Sequence, residues 1–355
     1  MRAQFEAFMV QEWQQGSIWQ IIFRPLSWLF ALITAIRRFF FRAGISKITT
    51  VGVPVIIVGN ISAGGTGKTP LVIAIAELLE KSNQHPGVVT RGYRQSSVPP
   101  RTFTPPIPVL NPQRGTITAS DEAMLMSQRL VVPVFANPDR VAAVAALLKR
   151  YPETTVVVSD DGLQHYRLGR DIEIAVVDGA RGFGNQHLIP AGPLRESVTR
   201  LKTVDCIIVN GVPKIGLNLE QYGPPVFRMN LGREIFRKLA ATEGVSIEDF
   251  QTQMFGKKIH AVAGIGNPQR FFDHLGRLGL HCAATHPFSD HHAFTPAELT
   301  LPDADIILMT EKDAVKCKSF MDSRMIAMRV DALLPPEFDN FILQHLIAIA
   351  AAKSD

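Results

Sequence analysis

Apolar residues along the chain fall into two patterns, short continuous runs and longer stretches at helical spacing. The short runs are rich in β-branched residues, which is typical of strands buried on both faces of a sheet. They predict strands at Val53–Val58, Gly87–Thr90, Val131–Phe135, Thr154–Gly162, Ile172–Asp178 and Val204–Gly211. The stretches between them predict helices from Pro70 onward, near Glu122–Leu130 and over Pro138–Lys149. This alternation predicts an α/β fold with a mostly parallel sheet flanked by helices, in which ligands bind beyond the carboxyl ends of the strands.

A second, shorter α/β pattern follows in the C-terminal part of the chain. It predicts strands at Lys258–Pro268 and Ala304–Asp313, a helix over Gln269–Leu278 between them, and a last helix over Phe338–Ala352. We therefore expect an N-terminal helix within residues 1–45, a larger α/β domain at 46–225, a smaller α/β domain that begins with a linker at 226–334, and a C-terminal helix at 335–355. The proline-rich stretch Val98–Pro112 is predicted to be a loop.

The N-terminal segment Ile18–Phe41 is apolar and aromatic but is interrupted by arginines. Its longest uncharged run, Pro25–Ile36, is shorter than the roughly 20 residues that a membrane-spanning helix needs. Arg37 and Arg38 follow that run, and no small-residue cleavage site of a signal peptide comes after it. We interpret the segment as an amphipathic helix in a membrane interface, with aromatic residues in the acyl boundary and arginines near lipid phosphates. The alternative is a helix that is buried against the body of the protein.

Composition narrows the choice of partner and compartment. The 355 residues are 46% hydrophobic and 19% charged, with an excess of five positive charges, which fits an anionic partner. Neither a zinc-knuckle spacing nor a basic run interleaved with aromatic residues supports nucleic-acid binding. Cys206, Cys282 and Cys317 form no CxxC pair, so we expect thiols in the core of a protein from a reducing compartment.

A glycine-rich turn, "GNISAGGTGKTP" (Gly59–Pro70), joins the first predicted strand to the first helix. In phosphate-binding loops, backbone N–H groups wrap the phosphates, a lysine neutralises the β and γ oxygens, and a Ser/Thr hydroxyl reaches Mg²⁺. Ser62 stands where the usual pattern has its first glycine, but the flanking strand and helix favour such a loop over a chance glycine-rich turn. The candidate nucleotide-binding residues are Ser62, Ala63, Gly64, Gly65, Thr66, Gly67, Lys68 and Thr69.

Two acidic pairs are candidates for chemistry next to this loop. Asp160 and Asp161 end an apolar strand, where a carboxylate that holds Mg²⁺ is expected, although an ordinary Asx turn before Gly162 is the alternative. In "ASDEAMLM", Ser120 or Asp121 is a good N-cap, so this stretch by itself favours a structural role.

The segment "FSDHHAF" (Phe288–Phe294) places Asp290 beside His291 and His292. Together with His286 these residues suggest a metal cluster, but no cysteine and no helix-spaced histidine pair accompanies them, which disfavours structural zinc. An Asp–His pair that acts in proton transfer is equally compatible with the pattern.

Taken together, the motifs resemble the tetraacyldisaccharide 4′-kinase family of lipid A biosynthesis, from the N-terminal helix almost to the C-terminus. The loop motif with Ser62 is the form that this family has. The sequence departs from the common family pattern at Ser120 and Ser289, neither of which is a reacting group. The motifs that carry the resemblance are "GNISAGGTGKTP", "TRGYR", "SDEAMLM", "SDDGLQHYRLGRD", "LIPAGPLRE", "GIGNPQRFF", "FSDHHAF" and "TEKDAVK".

The resemblance implies roles for residues that the motifs alone leave open. It implies that Asp121 is the catalytic aspartate, that His291 orients or tunes it, and that Lys68 acts in catalysis. It also implies two further sets. The Mg²⁺ ligands would come from Thr69, Asp161, Gln164, Glu196 and Asp121. The residues that line the substrate cleft would be Tyr93, Glu122, Asp160 and Arg195.

The function that this resemblance implies is transfer of the γ-phosphate of ATP to the 4′-hydroxyl of a tetraacyldisaccharide 1-phosphate, with Mg²⁺ as the metal. Asp121 would accept the hydroxyl proton, and closure between the two domains would bring His291 to it. We expect the enzyme to act on an anionic glycolipid at the cytoplasmic face of the bacterial inner membrane, as a monotopic or peripheral protein without an obligate protein partner.

Two other functions are compatible with a phosphate loop on a membrane-associated chain. Membrane-associated ATPases of the switch or partitioning type carry an extra lysine at the position of Ala63, so its absence disfavours them. A non-catalytic membrane scaffold is disfavoured because Lys68, Thr69 and a strand-end acid are all present.

Overall fold

The computed structural model describes residues 13, 18–92, 107–108, 120–241 and 243–354. The chain divides into two compact units. Unit 1 consists of Met1–Asn230 and Ala332–Asp355, and unit 2 consists of Leu231–Asp331. The C-terminal helix, which the sequence predicts as a separate segment, therefore belongs to unit 1.

The helices and strands follow one another in the alternation that the sequence predicts. The helices are α1 (Ile18–Arg42), α2 (Lys68–Lys81), α3 (Asp121–Arg129), α4 (Arg140–Arg150), α5 (Ile247–Gln253), α6 (Pro268–Arg277), α7 (Glu311–Ala314) and α8 (Pro336–Ser354). The strands are β1 (Val55–Gly59), β2 (Pro86–Thr90), β3 (Ile107–Pro108), β4 (Val134–Ala136), β5 (Val156–Asp160), β6 (Ile172–Asp178), β7 (Cys206–Asn210), β8 (Val226–Lys238), β9 (Ile259–Ala263), β10 (Cys282–Pro287), β11 (Ile306–Thr310) and β12 (Met325–Leu333).

Strand β1 lies in the middle of the unit 1 sheet, whose order is β8-β7-β6-β1-β5-β2-β4-β3. Every neighbouring pair is parallel except β3 and β4. Ile57 of β1 pairs with Ser159 of β5 on one side and Glu173 of β6 on the other. The carboxyl ends of β1, β5 and β6 therefore meet at one edge, where ligands of parallel sheets bind.

Both faces of the unit 1 sheet are covered. Ile56 and Val58 pack into one apolar core with residues of α2, α3 and α8, and Val55 and Ile57 pack into the other with residues of α4. These four β1 side chains are at most 1% exposed. A strand that is buried on both faces reads as a continuous apolar run, which is why the sequence predicts β1.

Unit 2 contains a smaller parallel sheet in the order β10-β9-β11-β12. One face packs with α5 and α6 through Phe250, Phe271 and Leu275, and the other packs around Met309 and Cys317. The mostly parallel α/β architecture and the smaller second α/β unit that the sequence predicts are both present.

Helix α1 presents most of its apolar side chains to the outside. Ile21, Trp28, Leu32 and Phe39 are 63%, 70%, 57% and 61% exposed. Within residues 20–42, only Ser27 is buried. The stretch Gln20–Arg42 is long and apolar enough to cross a membrane by length and composition alone.

Candidate active site

The phosphate loop lies between the end of β1 at Gly59 and the start of α2 at Lys68. Gly64 and Gly67 have φ angles of 96° and 89°, in the left-handed region that favours glycine. A Cβ atom at Gly67 would lie only 2.3 Å from the side-chain nitrogen of Asn210. Gly67 is thus required both by backbone conformation and by close packing.

Asn60 braces the loop from within. Its side-chain amide donates to the carbonyl of Ser62 at 2.7 Å and to that of Gly64 at 3.4 Å. Ser62 is only 8% exposed and forms a backbone bridge with Leu194, and the N–H of Ala63 donates to the carbonyl of Pro193 at 2.7 Å. The main chain at Ser62, where the usual motif has its first glycine, is therefore held by Asn60 from within the loop and by residues 193 and 194 from outside it.

Two side chains from neighbouring strand ends hold the tip of the loop. Asn210, at the end of β7, donates to the carbonyl of Thr66 at 2.9 Å. Arg181, which pairs with Asp178 at 3.2 Å, donates to the carbonyl of Gly65 at 2.6 Å. These carbonyls are satisfied within the protein, whereas the N–H groups of such a loop are the groups that take phosphate oxygens.

Asp161 follows β5 and lies between two cations. Its Oδ1 is 3.4 Å from Nζ of Lys68 and 3.1 Å from Nη1 of Arg195. Burial by itself would raise the pKa of Asp161, but Lys68 and Arg195 outweigh it and hold the pKa well below its usual range. Asp161 has a φ of 50°, so it turns the chain sharply as the strand ends. The carboxylate is therefore ionised and sits next to the lysine of the loop.

Asp160 has the opposite electrostatic character. It is 4% exposed; its Oδ2 accepts from Oγ1 of Thr90 at 3.1 Å, whereas its Oδ1 has no hydrogen-bond partner among the residues that the structure describes. Burial, followed by the charge of Asp161, raises its pKa to about 6. Arg140 lies buried beside it and donates to its main-chain carbonyl at 2.9 Å. A buried carboxylate oxygen without a partner is costly, so it indicates a place for a ligand, a proton or an ordered solvent molecule.

Gln164 and Glu196 are joined in one network behind the loop. The amide of Gln164 donates to Oε1 of Glu196 at 2.7 Å and to the carbonyl of Asn60 at 3.0 Å. The Tyr166 hydroxyl donates to the other oxygen of Glu196. Burial and the Glu196 charge raise the pKa of Tyr166 to about 12, so this hydroxyl stays a donor. Two predicted metal ligands are thereby fixed relative to the loop.

Asp121 and Glu122 form the first turn of α3. Ser120 is the N-cap, since its hydroxyl accepts from the N–H of Ala123 at 3.2 Å. The helix packs against α2 through buried residues of the shared core, and Glu122 is close enough to raise the pKa of Asp160. Tyr93, the remaining residue of the predicted cleft, lies outside the described residues.

The histidines of the predicted cluster lie in unit 2 and form separate pairs. His291 has a φ of 59°, and its Nε2 is 3.8 Å from Oδ2 of Asp290. His292 pairs with Glu298 at 3.0 Å, and His286 pairs with His260 at 3.2 Å. Within the part of the chain that the structure describes, no three His, Cys, Asp or Glu side chains are grouped to hold a metal ion.

Mg²⁺ does not need such a group. It is usually held by one or two carboxylates, water and the phosphates of a substrate. In unit 1, Thr69 is the second residue of α2, the ionised carboxylate of Asp161 lies 3.4 Å from Nζ of Lys68, and the Gln164–Glu196 pair is tied to the main chain of Asn60. All of these side chains carry hard oxygen donors. Oδ1 of Asp160, which has no partner among the described residues, lies beside Asp161 at the end of β5. These residues fit a magnesium ion that arrives with a nucleotide.

Comparison with known proteins decides between the functions that the loop allows. Residues 19–347 match the family described as Tetraacyldisaccharide-1-P 4′-kinase. The chain belongs to this family. The tetraacyldisaccharide 4′-kinase of Methylobacillus flagellatus is 42% identical over 352 residues, which are 98% of this chain and 97% of that relative. The tetraacyldisaccharide 4′-kinase of Aromatoleum aromaticum is 45% identical over 335 residues, which are 94% and 96% of the two chains.

The fold matches a solved member of the family as well. A crystal structure of LpxK from Aquifex aeolicus in complex with ATP superposes with a TM-score of 0.76 at 26% identity, over 93% of this chain and all of that one. The family resemblance and the assignment as a kinase, which the motifs predicted, are thereby confirmed, and so is the α/β fold class, which the alternation of apolar segments predicted.

Proposed function

We propose that this family member transfers the γ-phosphate of ATP to the 4′-hydroxyl of a tetraacyldisaccharide 1-phosphate in lipid A biosynthesis. The observation that carries the proposal is the intact phosphate loop beside an ionised strand-end aspartate, within a chain that matches the kinase family over nearly its whole length. The relatives are named for this reaction, and the solved relative binds ATP. The switch ATPase and the scaffold have no comparable support.

The phosphate loop is proposed to bind ATP. Backbone N–H groups of Gly64–Thr69 wrap the phosphates, and Lys68 neutralises charge on the β and γ oxygens. Phosphoryl transfer depends mainly on positioning and on charge stabilisation, so the fixed conformation of the loop is part of the catalysis. The contacts from Asn60, Arg181 and Asn210 supply that rigidity.

The proposed metal is Mg²⁺, with ligands drawn from Thr69, Asp161, Gln164, Glu196 and Asp121. When bound, Mg²⁺ supplies charge neutralisation between the β- and γ-phosphates. The residues present fit this role, since Asp161 is ionised and the Gln164–Glu196 pair is fixed behind the loop.

Asp121 is proposed to accept the proton of the sugar hydroxyl. Ser120 supplies the helix cap, so the cap does not depend on the Asp121 side chain. Glu122, Asp160 and Arg195 are proposed to line the substrate cleft. That Tyr93 joins them, and that His291 orients or tunes Asp121, stay predictions from the family motifs.

The test of the reaction is incubation of the purified chain with labelled ATP and a lipid A precursor, followed by location of the new phosphate. We expect the label at the 4′-position. Asp121→Ala should reduce turnover about a hundredfold to ten-thousandfold and leave ATP binding largely in place. Asp249→Ala, which removes an exposed acid from the first turn of α5, is the matched control and should change turnover little. Label at another position, or unchanged turnover in Asp121→Ala, would contradict the assignment.

Helix α1 is proposed to seat the enzyme on the cytoplasmic surface of the inner membrane. Its polar side is fastened to unit 1 by Arg24, which meets His187 at 3.4 Å, and by Arg38, which donates to Thr203 at 2.8 Å. These two residues are separated by about 21 Å along a helix axis. A helix that is attached to its own unit over that length favours a position in the interface over one across the bilayer, with its exposed apolar side in the acyl boundary.

Charged residues on the exposed side of α1 should release the protein from membranes. We expect Trp28→Glu combined with Leu32→Glu to abolish sedimentation with vesicles of anionic phospholipid, because both side chains lose the apolar surface that enters the acyl region. Val131→Glu, at a residue that is 90% exposed outside α1, is the control and should sediment like the wild type. Equal sedimentation of all three proteins would exclude α1 as the membrane contact.

A further inference from the structure

Ser27 is the one buried residue within the stretch 20–42 of helix α1. It is 5% exposed, whereas its neighbours Leu26 and Trp28 are 53% and 70% exposed. Its hydroxyl donates to the carbonyl of Leu188 at 2.7 Å and accepts from the N–H of Ala191 at 2.9 Å. One hydroxyl thus satisfies two main-chain groups of a segment more than 160 positions away.

That segment, residues 187–196, folds back on itself and is called the 187–196 loop below. Gly192 N–H donates to the carbonyl of Leu188 at 3.0 Å, and the N–H of Leu194 donates to that of His187 at 3.1 Å. At Gly192 even a Cβ atom would lie 2.2 Å from Oδ1 of Asn185. A segment that is closed by its own hydrogen bonds and tightly packed at Gly192 passes a displacement at one side to its other side.

The other side of the 187–196 loop holds the phosphate loop. The carbonyl of Pro193 accepts from the N–H of Ala63 at 2.7 Å, and the N–H of Arg195 donates to the carbonyl of Ile61 at 2.7 Å. The same loop ends in Arg195, which pairs with Asp161, and in Glu196, which accepts from Gln164. These contacts with the nucleotide site lie two to five positions after Ala191, whose N–H donates to Ser27.

We propose that Ser27 is a positioning residue for phosphoryl transfer, which fixes the phosphate loop and the Arg195–Glu196 pair through the 187–196 loop. The inference rests on the proposed function in so far as it takes Gly64–Thr69 to bind ATP. The Ser27 hydroxyl bonds to the main chain of Leu188 and Ala191, so the proposed effect runs through main-chain hydrogen bonds. Without the Ser27 hydroxyl, the buried N–H of Ala191 loses its bond, and the carbonyl of Leu188 keeps only the bond from Gly192 N–H. A buried donor that loses its partner carries a penalty, which favours a shift of the loop.

Thr34 offers a matched control on the same helix. Its hydroxyl donates to the carbonyls of Phe30 and Ala31, within α1 itself, at 3.0 Å and 2.9 Å. Thr34→Ala therefore removes a hydroxyl from α1 without touching the 187–196 loop. If Ser27 only fastens α1 to unit 1, the two alanine variants differ in thermal stability but not in nucleotide binding.

The experiment compares the full-length wild type with Ser27→Ala and Thr34→Ala. The affinity for a fluorescent ATP analogue is measured without glycolipid, KM for ATP and kcat are measured with it, and sedimentation with anionic phospholipid vesicles is the third readout. We expect Ser27→Ala to weaken analogue binding and raise KM for ATP about threefold to tenfold. Vesicle binding should stay unchanged, because the exposed apolar side of α1 is intact. Thr34→Ala should match the wild type in all three.

Wild-type analogue affinity in Ser27→Ala, or an equal loss in Thr34→Ala, would overturn the proposal. So would a loss of vesicle binding in Ser27→Ala that accounts for the change in KM. Failure of the proposed function looks different: the wild type would then transfer no phosphate to the glycolipid, while the analogue-binding comparison would still decide the role of Ser27.

Discussion

The end of β5 in unit 1 and the end of β11 in unit 2 each have a buried aspartate nearby. The two aspartates differ in how many of their carboxylate oxygens accept hydrogen bonds. Beyond β11, Asp313 is fully buried, and its carboxylate accepts from Gly264 N–H at 3.0 Å, Thr310 Oγ1 at 2.6 Å and Lys316 Nζ at 2.9 Å. At β5, Asp160 is 4% exposed, and within the described part of the chain one of its oxygens has no hydrogen-bond partner.

The difference shows what turns the edge of a parallel sheet into a site. Both units place an acid and a lysine where strands end and helices begin. In unit 2 the acid ties β9 to β11, which stabilises the unit, and both of its oxygens accept hydrogen bonds from the protein. In unit 1 one oxygen of the buried Asp160 carboxylate lacks a partner among the described residues. A ligand that bonds to this oxygen would recover the cost of burying it.

We expect the largest contrast between activity and stability when Lys68 and Lys316 are each replaced by methionine. Lys68→Met should lower kcat about a hundredfold to a thousandfold, because the charge that faces the transferred phosphate is lost. Its thermal midpoint should change little, since Asp161 keeps Arg195 at 3.1 Å. Lys316→Met should show the reverse: a lower midpoint and near-normal turnover per folded molecule. Similar kinetic losses in both variants would remove the distinction between the two strand ends.

Asp313→Asn tests the satisfied carboxylate. Removing one member of a buried ion pair leaves the other charge uncompensated, which destabilises the fold by about 3 kcal/mol here. We expect the low end of the range because Lys316 also lies 3.5 Å from the carbonyl of Gly264 and 5.3 Å from the Phe294 ring. Urea unfolding at neutral pH measures the change, and a loss below about 0.5 kcal/mol would show that the pair is not structural.

Asp160→Asn, unlike Asp313→Asn, should increase the free energy of unfolding, when the protein is free of metal and nucleotide. Burial raises the pKa of Asp160 from 3.8 to about 6, so the folded protein binds the extra proton and loses stability as the pH rises through that window. Asparagine carries no such charge, so the variant should be more stable than the wild type by about 3 kcal/mol at pH 8, but not below pH 4. Thermal unfolding at pH 4 and pH 8 tests this; a variant that is less stable at pH 8 would contradict it.

Much of the fold could be predicted because a buried parallel strand is a continuous apolar run that can be recognised in the local sequence. Ile172–Asp178 was predicted with the boundaries that the structure has, and β1 and β5 differ from their predicted spans by a few residues at each end. Helix α2 begins two residues before the predicted Pro70, because the left-handed Gly67 lets the helix start directly at Lys68. In unit 2, β10 was not predicted. Its sequence, CAATHP, lacks the β-branched run of a buried strand, and it lies at a sheet edge.

The site was predictable only where a motif is local. The loop glycines and Lys68 follow from their spacing, whereas the roles of Asp121 and His291 came from family resemblance. Asn210 and Arg140 were missed, because the groups that they hold are distant in the sequence; Asn210 and Thr66 are 144 positions apart. A single asparagine at a strand end gives no signal until the fold brings it to a particular carbonyl.

The position of α8 at the C-terminal end of unit 1 affects how this unit folds during synthesis. Phe338 and Ile342 of α8 are completely buried in the core that also contains α2, and the Phe338 ring packs against Phe227 of β8. The ribosome must therefore make all of unit 2 before it delivers the residues that close the core of unit 1. Until α8 leaves the exit tunnel, the nascent nucleotide-binding unit exposes apolar surface and is open to aggregation, so its folding finishes last although its chain begins first.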